Sequence, residues 1–267
     1  MINSLRFVSI LLLVGVCFAC IQAQDTREVK KSGQFSQNGR VYIDTYKGSI
    51  RVDPWDKSEI DIRAVIEPDG SGRRSRDRVE DTEIRIDLSS SSARIKTDYE
   101  EARHRHGNFF GLFEFDSDNL PFVHYTIRVP RSTNVVIKDY KSETTIEDLK
   151  SDLEINTYKG DVSVDRLSGS LNLETYKGEA RVRFASLAGQ SRAQTYKGSL
   201  EITLPRDKGF DLETDLGRHA DLRSDFAESR YSRSDRHRES NSRTSVKGGG
   251  PLLRVKTDRG TVRLIQE

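Results

Sequence analysis

Tyrosine and lysine recur side by side at regular intervals in this chain, and they are the side chains with which it could do chemistry. The tetrapeptide Thr-Tyr-Lys-Gly occurs four times, beginning at Thr45, Thr157, Thr175 and Thr195. A related tetrapeptide, Asp-Tyr-Lys-Ser, begins at Asp139. Exposed aromatic rings beside cations suit the faces of sugars or an anionic polymer. The repeated pair could therefore form a binding surface.

A row of tyrosines with adjacent lysines is the candidate binding site. Four units that follow one another along the chain can be aligned on their tyrosines, and the spacing between these tyrosines is nearly constant. If successive units stack about 4.8 Å apart, the rings form an outward-facing ladder about 15 Å long. The predicted binding residues are Tyr140, Tyr158, Tyr176, Tyr196, Lys159, Lys177 and Lys197.

The same ladder also has a purely structural interpretation. Aligned aromatic rings stabilise a fold by about 0.5–1.5 kcal/mol per pair beyond their burial. Acids that could neutralise the lysines fall on the same outer surface, at Glu154, Asp161, Glu174 and Glu179. Binding predicts that replacing Tyr158 and Tyr176 by serine abolishes ligand retention and leaves the thermal melt nearly unchanged, whereas scaffolding predicts the reverse.

Sequence patterns typical of catalytic and metal sites are missing. The acids are dispersed one per strand, with no paired-carboxylate motif, no phosphate-binding glycine loop and no serine nucleophile elbow. The histidines of Arg103–Gly107, taken together with His124, have no carboxylate at a suggestive spacing. A solvated basic loop is therefore favoured over a metal site there. We predict no enzyme activity, no cofactor and no metal.

The charge balance does not favour nucleic acid as a partner. The 267 residues include 44 Lys+Arg against 42 Asp+Glu, and the formal net charge of +2 is too small to attract a polyanion to the whole molecule. The arginine-rich segment Arg223–Arg243 is interleaved with acids and is predicted to be a solvated loop. No nucleic-acid partner is expected.

The N-terminal segment, 1–23, has the pattern of an export signal. Arg6 precedes the apolar run Phe7–Ala19, and Ala23 suits a cleavage site. About 13 residues are too few for a membrane-spanning helix, which needs about 20, so no permanent transmembrane segment is expected. Both cysteines lie inside the signal, which excludes a disulfide framework; lipidation at Cys20 is the alternative to simple cleavage. The protein is predicted to be exported to the periplasm or cell surface.

Alternation of apolar and polar residues predicts an all-β fold. Leu153, Ile155 and Thr157 share one face of a strand, while Glu154 and Tyr158 share the other. Units of about 18–20 residues are too short to bury a core alone and must stack on each other. The expected architecture is a β-solenoid, or parallel β-helix-like stack of such coils, in which glycines make the corners. No stretch shows a helical apolar stripe, so no helix is expected.

The N-terminal half is predicted to form antiparallel strands that flank the stack. Asp69–Asp81 and Arg223–Gly250 are too polar to bury much surface and are predicted to be loops. The phenylalanine-rich segment from His106 to Phe122 is predicted to plug one end of the solenoid, with a membrane-touching or docking loop as the alternative. The expected organisation is a signal peptide (1–23), an N-terminal β region (24–134) and a solenoid region (135–267).

The repeated strands, the export signal and the glycine stretch of Val246–Leu264 together resemble the bacterial putative-adhesin family, a domain of unknown function. The resemblance runs from Val41 to the C-terminus and is strongest over Val135–Leu264. It implies a solenoid-like β architecture outside the cytoplasm and carries no catalytic residues. The expected function is a noncatalytic binding or scaffold protein, holding an envelope glycan or anionic polymer. A protein–protein module for envelope assembly or stress, and a polysaccharide-active enzyme, are the alternatives.

Overall fold

The computed structural model describes residues 25–104, 119–226 and 241–267, and within these ranges two ten-stranded sheets form the body of the protein. In spatial order the first sheet contains β1 (Arg27–Gln34), β4 (Glu59–Glu67), β7 (Phe122–Pro130), β3 (Lys47–Trp55), β9 (Lys141–Glu147), β11 (Val162–Gly169), β13 (Glu179–Leu187), β15 (Ser199–Leu204), β20 (Thr261–Gln266) and β17 (Asp221–Ser224). The second contains β18 (Asn241–Val246), β16 (Phe210–Leu216), β19 (Leu252–Thr257), β14 (Gln190–Thr195), β12 (Leu171–Thr175), β10 (Leu153–Thr157), β8 (Asn134–Asp139), β2 (Arg40–Asp44), β6 (Ser92–Asp98) and β5 (Glu83–Leu88).

The central strands alternate between the two sheets and pair in parallel. Leu153 of β10 pairs with Val135 of the preceding unit and with Leu171 of the following unit, and Asn172 pairs with Arg192 one unit further on. Their inward residues are apolar and buried, and they belong to one hydrophobic cluster that runs through both sheets. Full burial of such a side chain contributes about 1.5–3 kcal/mol. The predicted all-β fold is confirmed, with two large and mostly parallel sheets.

Strands distant in sequence complete the stack at its N-terminal end. Val41 of β2 pairs in parallel with Val135 of β8, and Ile50 of β3 pairs with Thr144 of β9. The antiparallel arrangement predicted for the intervening segments holds for β4 with β7 and for β5 with β6. It is wrong where β6 meets β2 and β7 meets β3, because those pairs are parallel.

The C-terminal strands are inserted into the stack rather than added at its end. β19 pairs with β14 on one side and with β16 on the other, and β20 lies in the same way between β15 and β17. The strand β18 then pairs antiparallel with β16 at the edge of the second sheet. Chain order and spatial order therefore diverge after β15.

Two short helices in the described ranges correct the expectation that the chain would contain none. Helix α1 (Arg73–Glu80) lies inside the segment predicted to be a loop, and α2 (Glu100–His104) precedes the phenylalanine-rich stretch. The sequence of α1 is almost entirely charged, and Val79 is its one buried residue. Arginine and glutamate favour helix, but a single buried residue gives no apolar stripe to detect.

The second predicted loop is also partly wrong. Residues 223 and 224 complete β17, and Asn241–Val246 form β18, so two parts of the segment are strands. Residues 227–240 lie outside the described residues. The export signal with Cys20, and positions 105–118 of the histidine and phenylalanine stretches, lie outside them as well. No helix in the described ranges has the length and apolar character needed to cross a membrane.

Candidate functional site

Buried threonines close the corners of the central stack. The hydroxyl of Thr195 accepts a hydrogen bond from the backbone N–H of Gly198 at 2.9 Å, and Thr157 and Thr257 do the same for Gly160 and Gly260 at 3.0 and 2.9 Å. These bonds satisfy a backbone donor where the strand pairing stops. The threonine therefore points inward, and in the tetrapeptide units that begin at 157, 175 and 195 the next two residues, tyrosine and lysine, are left at the surface.

The tyrosines stack into one continuous column, here called the tyrosine ladder. Successive ring centroids are 4.7–4.9 Å apart and successive planes differ by 3–10°. The members of the ladder are Tyr46, Tyr140, Tyr158, Tyr176 and Tyr196. Four were predicted from their spacing; Tyr46 was not placed in the ladder, although its Thr-Tyr-Lys-Gly sequence was visible. With one ring on each successive strand, at the usual strand spacing of about 4.8 Å, the column is about 19 Å long.

Both ends of the tyrosine ladder are covered. Tyr99 approaches Tyr46 edge-on, with centroids 6.3 Å apart and planes at 76°. At the other end Asp258 replaces tyrosine in the repeat, and the guanidinium of Arg259 lies 5.8 Å from the centre of the Tyr196 ring. The ring faces are therefore in contact with protein, and the ladder presents ring edges to solvent. Stacking of a sugar on a free ring face, the contact suggested by the sequence, has no place here.

A second column of exposed lysines follows the ladder and is called the lysine row. It contains Lys141, Lys159, Lys177 and Lys197. The ammonium groups of the last three lie 5.7–5.8 Å from tyrosine ring centres. None of the four forms an ion pair with a described residue. Two of the four acids expected to neutralise them are used otherwise, since Asp161 accepts a hydrogen bond from the Glu179 N–H at 2.8 Å and Glu179 pairs with Arg181. The other two, Glu154 and Glu174, form no ion pair with these lysines.

The first copy of the tetrapeptide differs from the others at its lysine. Lys47 is 4% exposed, pairs with Asp69 at 2.6 Å and lies 4.3 Å from the centre of the Phe122 ring. The interpretation that every copy turns its lysine outward is therefore wrong for this copy. The segment carrying Asp69 folds over the corner and removes Lys47 from the lysine row.

At the opposite corner of the stack, acids form ion pairs with the arginines and neutralise their charge. The lysine row differs from this corner. Arg166 there contacts Asp148 at 2.6 Å and Asp165 at 2.8 Å, and Arg183 pairs with Asp165 in turn. The guanidinium of Arg166 lowers the pKa of the Asp148 carboxyl. The ion pairs continue to Arg131 at one end and Glu267 at the other. Cations and acids alternate in this column, whereas the lysine row is a column of like charges.

A groove of about 430 Å³ runs along the strand side of the tyrosine ladder. One wall is formed by Tyr158, Tyr176 and Tyr196. The other is formed by side chains from the strands that precede them, and this acid–amide groove is lined by Asp139, Asn156, Glu174, Gln194, Lys256 and Asp258. Sequence reasoning placed Glu174 on the outer surface but did not identify the groove, because Lys256 and Asp258, which complete its lining, come from a strand that pairs with β14 out of chain order.

Asp139 occupies the position of the corner threonine in its unit. It pairs in register with Thr157, whose hydroxyl donates to it at 2.5 Å, and it accepts a longer bond from the Ser142 N–H at 3.2 Å. Burial raises the pKa of this carboxyl to about 6, while the two hydrogen bonds act in the opposite direction. Burial therefore disfavours the charged form, so that this carboxyl keeps its proton to a higher pH than an exposed aspartate does.

Asp139→Thr is expected to stabilise the protein at pH 7.5 and to flatten its pH profile. A folded-state pKa near 6, above the ordinary 3.8, means that the contribution of Asp139 to stability is fully present below pH 4 and declines as pH rises through 6. At about 1.4 kcal/mol per pKa unit, reduced for partial exposure, the wild type should lose about 1–2 kcal/mol relative to the variant between pH 4.5 and 7.5. Urea unfolding at both pH values measures this. Equal profiles would contradict it; Asp207→Asn, at an exposed site, is the control.

One arrangement of catalytic residue types lies away from the ladder and was not anticipated. The hydroxyl of Ser49 is 2.8 Å from Nδ1 of His124, whose Nε2 lies 3.5 Å from Glu67. These residues stand on the outer face of β3, β7 and β4, and each of these strands is paired on both sides. Their backbone N–H groups are used in sheet pairing rather than in an oxyanion hole. We interpret the contact as a surface hydrogen-bond chain. Within the described residues, no three His, Cys, Asp or Glu side chains group as a metal site.

Comparisons with known proteins identify a family and similar solved structures. The family model Toastrack DUF4097 matches residues 124–264, just over half of the chain. A putative cell adhesion protein from Clostridium sporogenes has 9% identity and a TM-score of 0.53, covering 91% of this chain and 100% of its own. A putative adhesin from Bacteroides fragilis has 10% identity and a TM-score of 0.32, covering 90% and 97%. A comparison with curated proteins gives no match. The resemblance drawn from the repeated strands is confirmed.

Proposed function

Because the chain belongs to the Toastrack DUF4097 family, a domain family without an assigned function, we propose a function from its surface: a noncatalytic extracytoplasmic module that holds an extended cell-envelope glycan or anionic polymer along the tyrosine ladder and lysine row. The single observation that carries this proposal is the lysine row without ion pairs to described residues. A binding role agrees with the similarity in fold to the putative cell adhesion protein.

The unpaired row is unfavourable for the isolated protein, which is why it supports a ligand. Like charges separated by about 5 Å repel by about 0.8 kcal/mol in water. The opposite corner avoids this repulsion with alternating arginines and acids, and the same repeat could place acids beside the lysines. A polymer with anionic groups at intervals would neutralise the row and order its side chains.

The extended shape of the site fits a polymer better than a small molecule. The ladder is a continuous column of five stacked rings whose edges face solvent. A linear ligand contacts equivalent positions on successive strands, so that several weak contacts add up within one molecule. Export through the predicted signal would place this surface at the envelope.

The division into residues 24–134 and 135–267 stays a prediction.

Removing the charges of the lysine row is expected to abolish most of the binding. The triple variant Lys159→Gln, Lys177→Gln and Lys197→Gln should retain the wild-type melting temperature, since these side chains are exposed, and should bind an acidic polymer at least tenfold more weakly. The wild-type interaction should weaken as salt is raised, because exposed charges are screened. A glycan array that includes acidic polysaccharides, followed by titration of the bound polymer, measures both.

A matched triple variant separates local from overall charge. Lys57→Gln, Lys150→Gln and Lys208→Gln remove the same net charge from exposed positions away from the ladder, and binding should persist. Equal losses in the two triple variants would reject the lysine row as the site. Failure of the wild type to bind any polymer, together with capture of an envelope protein, would instead support the protein–protein alternative.

A further inference from the structure

The two sides of the tyrosine ladder differ in charge and in hydrogen-bonding character. The lysine row, on the corner side, offers only donors. The acid–amide groove, on the strand side, is lined mainly by carboxyl and amide groups. Asp139, Gln194 and Asp258 already contact Thr157, Arg192 and Arg259, so the acceptors left to a ligand are those of Asn156 and Glu174. The lysine that lines it, Lys256, is already paired with Asp215 at 2.6 Å. A ligand that covers the ladder must therefore offer anionic groups to the lysine row and hydrogen-bond donors to the acid–amide groove.

The side chains at the centre of the groove are available to a ligand. Asn156 and Glu174 are exposed and form no hydrogen bond or ion pair with another described residue. Beside them lie the edges of Tyr158 and Tyr176, the ladder rings whose faces are covered by stacking. Carboxylate and amide oxygens accept hydrogen bonds, and a phenol hydroxyl both donates and accepts. This set matches a row of hydroxyl groups.

From this arrangement we infer that the ligand is a linear acidic polysaccharide, lying along the ladder with its sugar hydroxyls in the acid–amide groove and its carboxylates toward the lysine row. The inference rests on the proposed function and specifies its ligand. The hydroxyl groups of the sugar donate hydrogen bonds to the side-chain oxygens of Asn156 and Glu174, which have no donor partner among the described residues. The carboxylates of the polymer neutralise the charge of the lysine row. Both requirements are met by one chain.

The same arrangement disfavours the other linear polyanions. A polyphosphate carries charge on every unit and has no hydroxyl along its chain, so its phosphates would face Glu174 as well as Lys177. A neutral glycan would fill the groove and leave the lysine row without counter-charge. The groove therefore selects among polymers that the lysine row alone would not distinguish.

The test compares three probes on the chain from residue 24 onward. Binding to polygalacturonate, to dextran and to a polyphosphate of similar length is measured by biolayer interferometry at one low salt concentration. We expect polygalacturonate to bind at least tenfold more tightly than either other polymer. The groove variant Asn156→Ala with Glu174→Ala should lose at least tenfold in affinity for polygalacturonate, with a melting temperature close to that of the wild type.

A control pair with the same chemistry lies on the same two strands. Glu154→Ala with Asn172→Ala removes one acid and one amide from β10 and β12, two positions nearer the strand starts, in a hollow that does not include the ladder. Its affinity for polygalacturonate should equal that of the wild type. Equal losses in the two pairs, or polyphosphate binding as tight as polygalacturonate binding, would overturn the inference.

The outcomes also separate this inference from the function on which it rests. If all anionic polymers bind equally and only the lysine variants weaken their binding, the lysine row is the binding site and the assignment of the acid–amide groove is wrong. If no polymer binds the wild-type chain, both are wrong. Loss of polygalacturonate binding in the Asn156/Glu174 pair but not in the Glu154/Asn172 pair supports both.

Discussion

Gly198→Ala is expected to lower the free energy of unfolding by about 3 kcal/mol. An added Cβ would lie 2.1 Å from the carbonyl oxygen of Gly178 and 2.8 Å from the hydroxyl of Thr195. That carbonyl already accepts the Ser199 N–H at 3.1 Å, so neither strand can retreat without breaking stack contacts. Overpacking of this kind costs about 1–3 kcal/mol, and more where backbone must move. Chemical unfolding monitored by circular dichroism measures the change.

The control for this prediction comes from the same column of the repeat. Ser142 occupies the position of the corner glycine in its unit, and its Cβ is already accommodated; its hydroxyl is buried and has no hydrogen-bond partner among the described residues. Ser142→Ala should therefore leave stability unchanged or raise it slightly, since an unsatisfied buried hydroxyl is unfavourable. If Gly198→Ala were as stable as Ser142→Ala, the close approach of adjacent corners would not be what requires glycine.

The structure gives a different reason for the corner glycines from the one that the sequence suggests. Sequence reasoning assigned the corner glycines to the sharp bend, which needs backbone conformations closed to other residues. Among the tetrapeptide glycines only Gly48 and Gly178 have a positive φ, at 132° and 125°. Gly160 and Gly198 are required instead by a neighbouring carbonyl at 2.1 Å. A repeated glycine in one sequence cannot distinguish these causes, because both give the same pattern.

Local alternation predicted the orientation of side chains well. Leu153, Ile155 and Thr157 are buried as expected, and their outward neighbours are at least partly exposed. The period of two is a property of each strand by itself, so it can be read without knowing the strand's partners. The inward threonine and outward tyrosine of the corner follow from the same rule, together with the hydrogen bond to the residue three positions on.

Pairing between distant strands could not be predicted in this way. Tyr46 and Tyr140 are stacked at 4.8 Å although several other strands separate them along the chain, and β19 enters between β14 and β16. Many strands with the same alternation could pair equally well, so the choice depends on closure of the whole core. The acid–amide groove and the covered ring faces depend on that choice. This is why the sequence identified the tyrosines but not their mode of presentation.

Because the rings of the tyrosine ladder are stacked on one another, replacing them is expected to lower the stability of the protein. Replacing Tyr158 and Tyr176 by serine removes the contacts Tyr140–Tyr158, Tyr158–Tyr176 and Tyr176–Tyr196. At about 0.5–1.5 kcal/mol per stacked pair, the double variant should lose about 2–4 kcal/mol of stability. The sequence alone predicted a nearly unchanged melt if the ladder binds a ligand. Because the rings cover one another, a binding ladder is also a structural one.

A phenylalanine pair separates the two roles of the ladder. Tyr158→Phe with Tyr176→Phe keeps every stacked face and removes only the hydroxyls at the exposed edge. Its thermal melt should match that of the wild type, while its affinity for polygalacturonate falls by severalfold if the ring edges contact the polymer. The serine pair should instead melt earlier with or without polymer. A serine pair as stable as the phenylalanine pair would show that the stacked rings contribute nothing to the fold, and an unaltered affinity in the phenylalanine pair would restrict binding to the lysine row and the acid–amide groove.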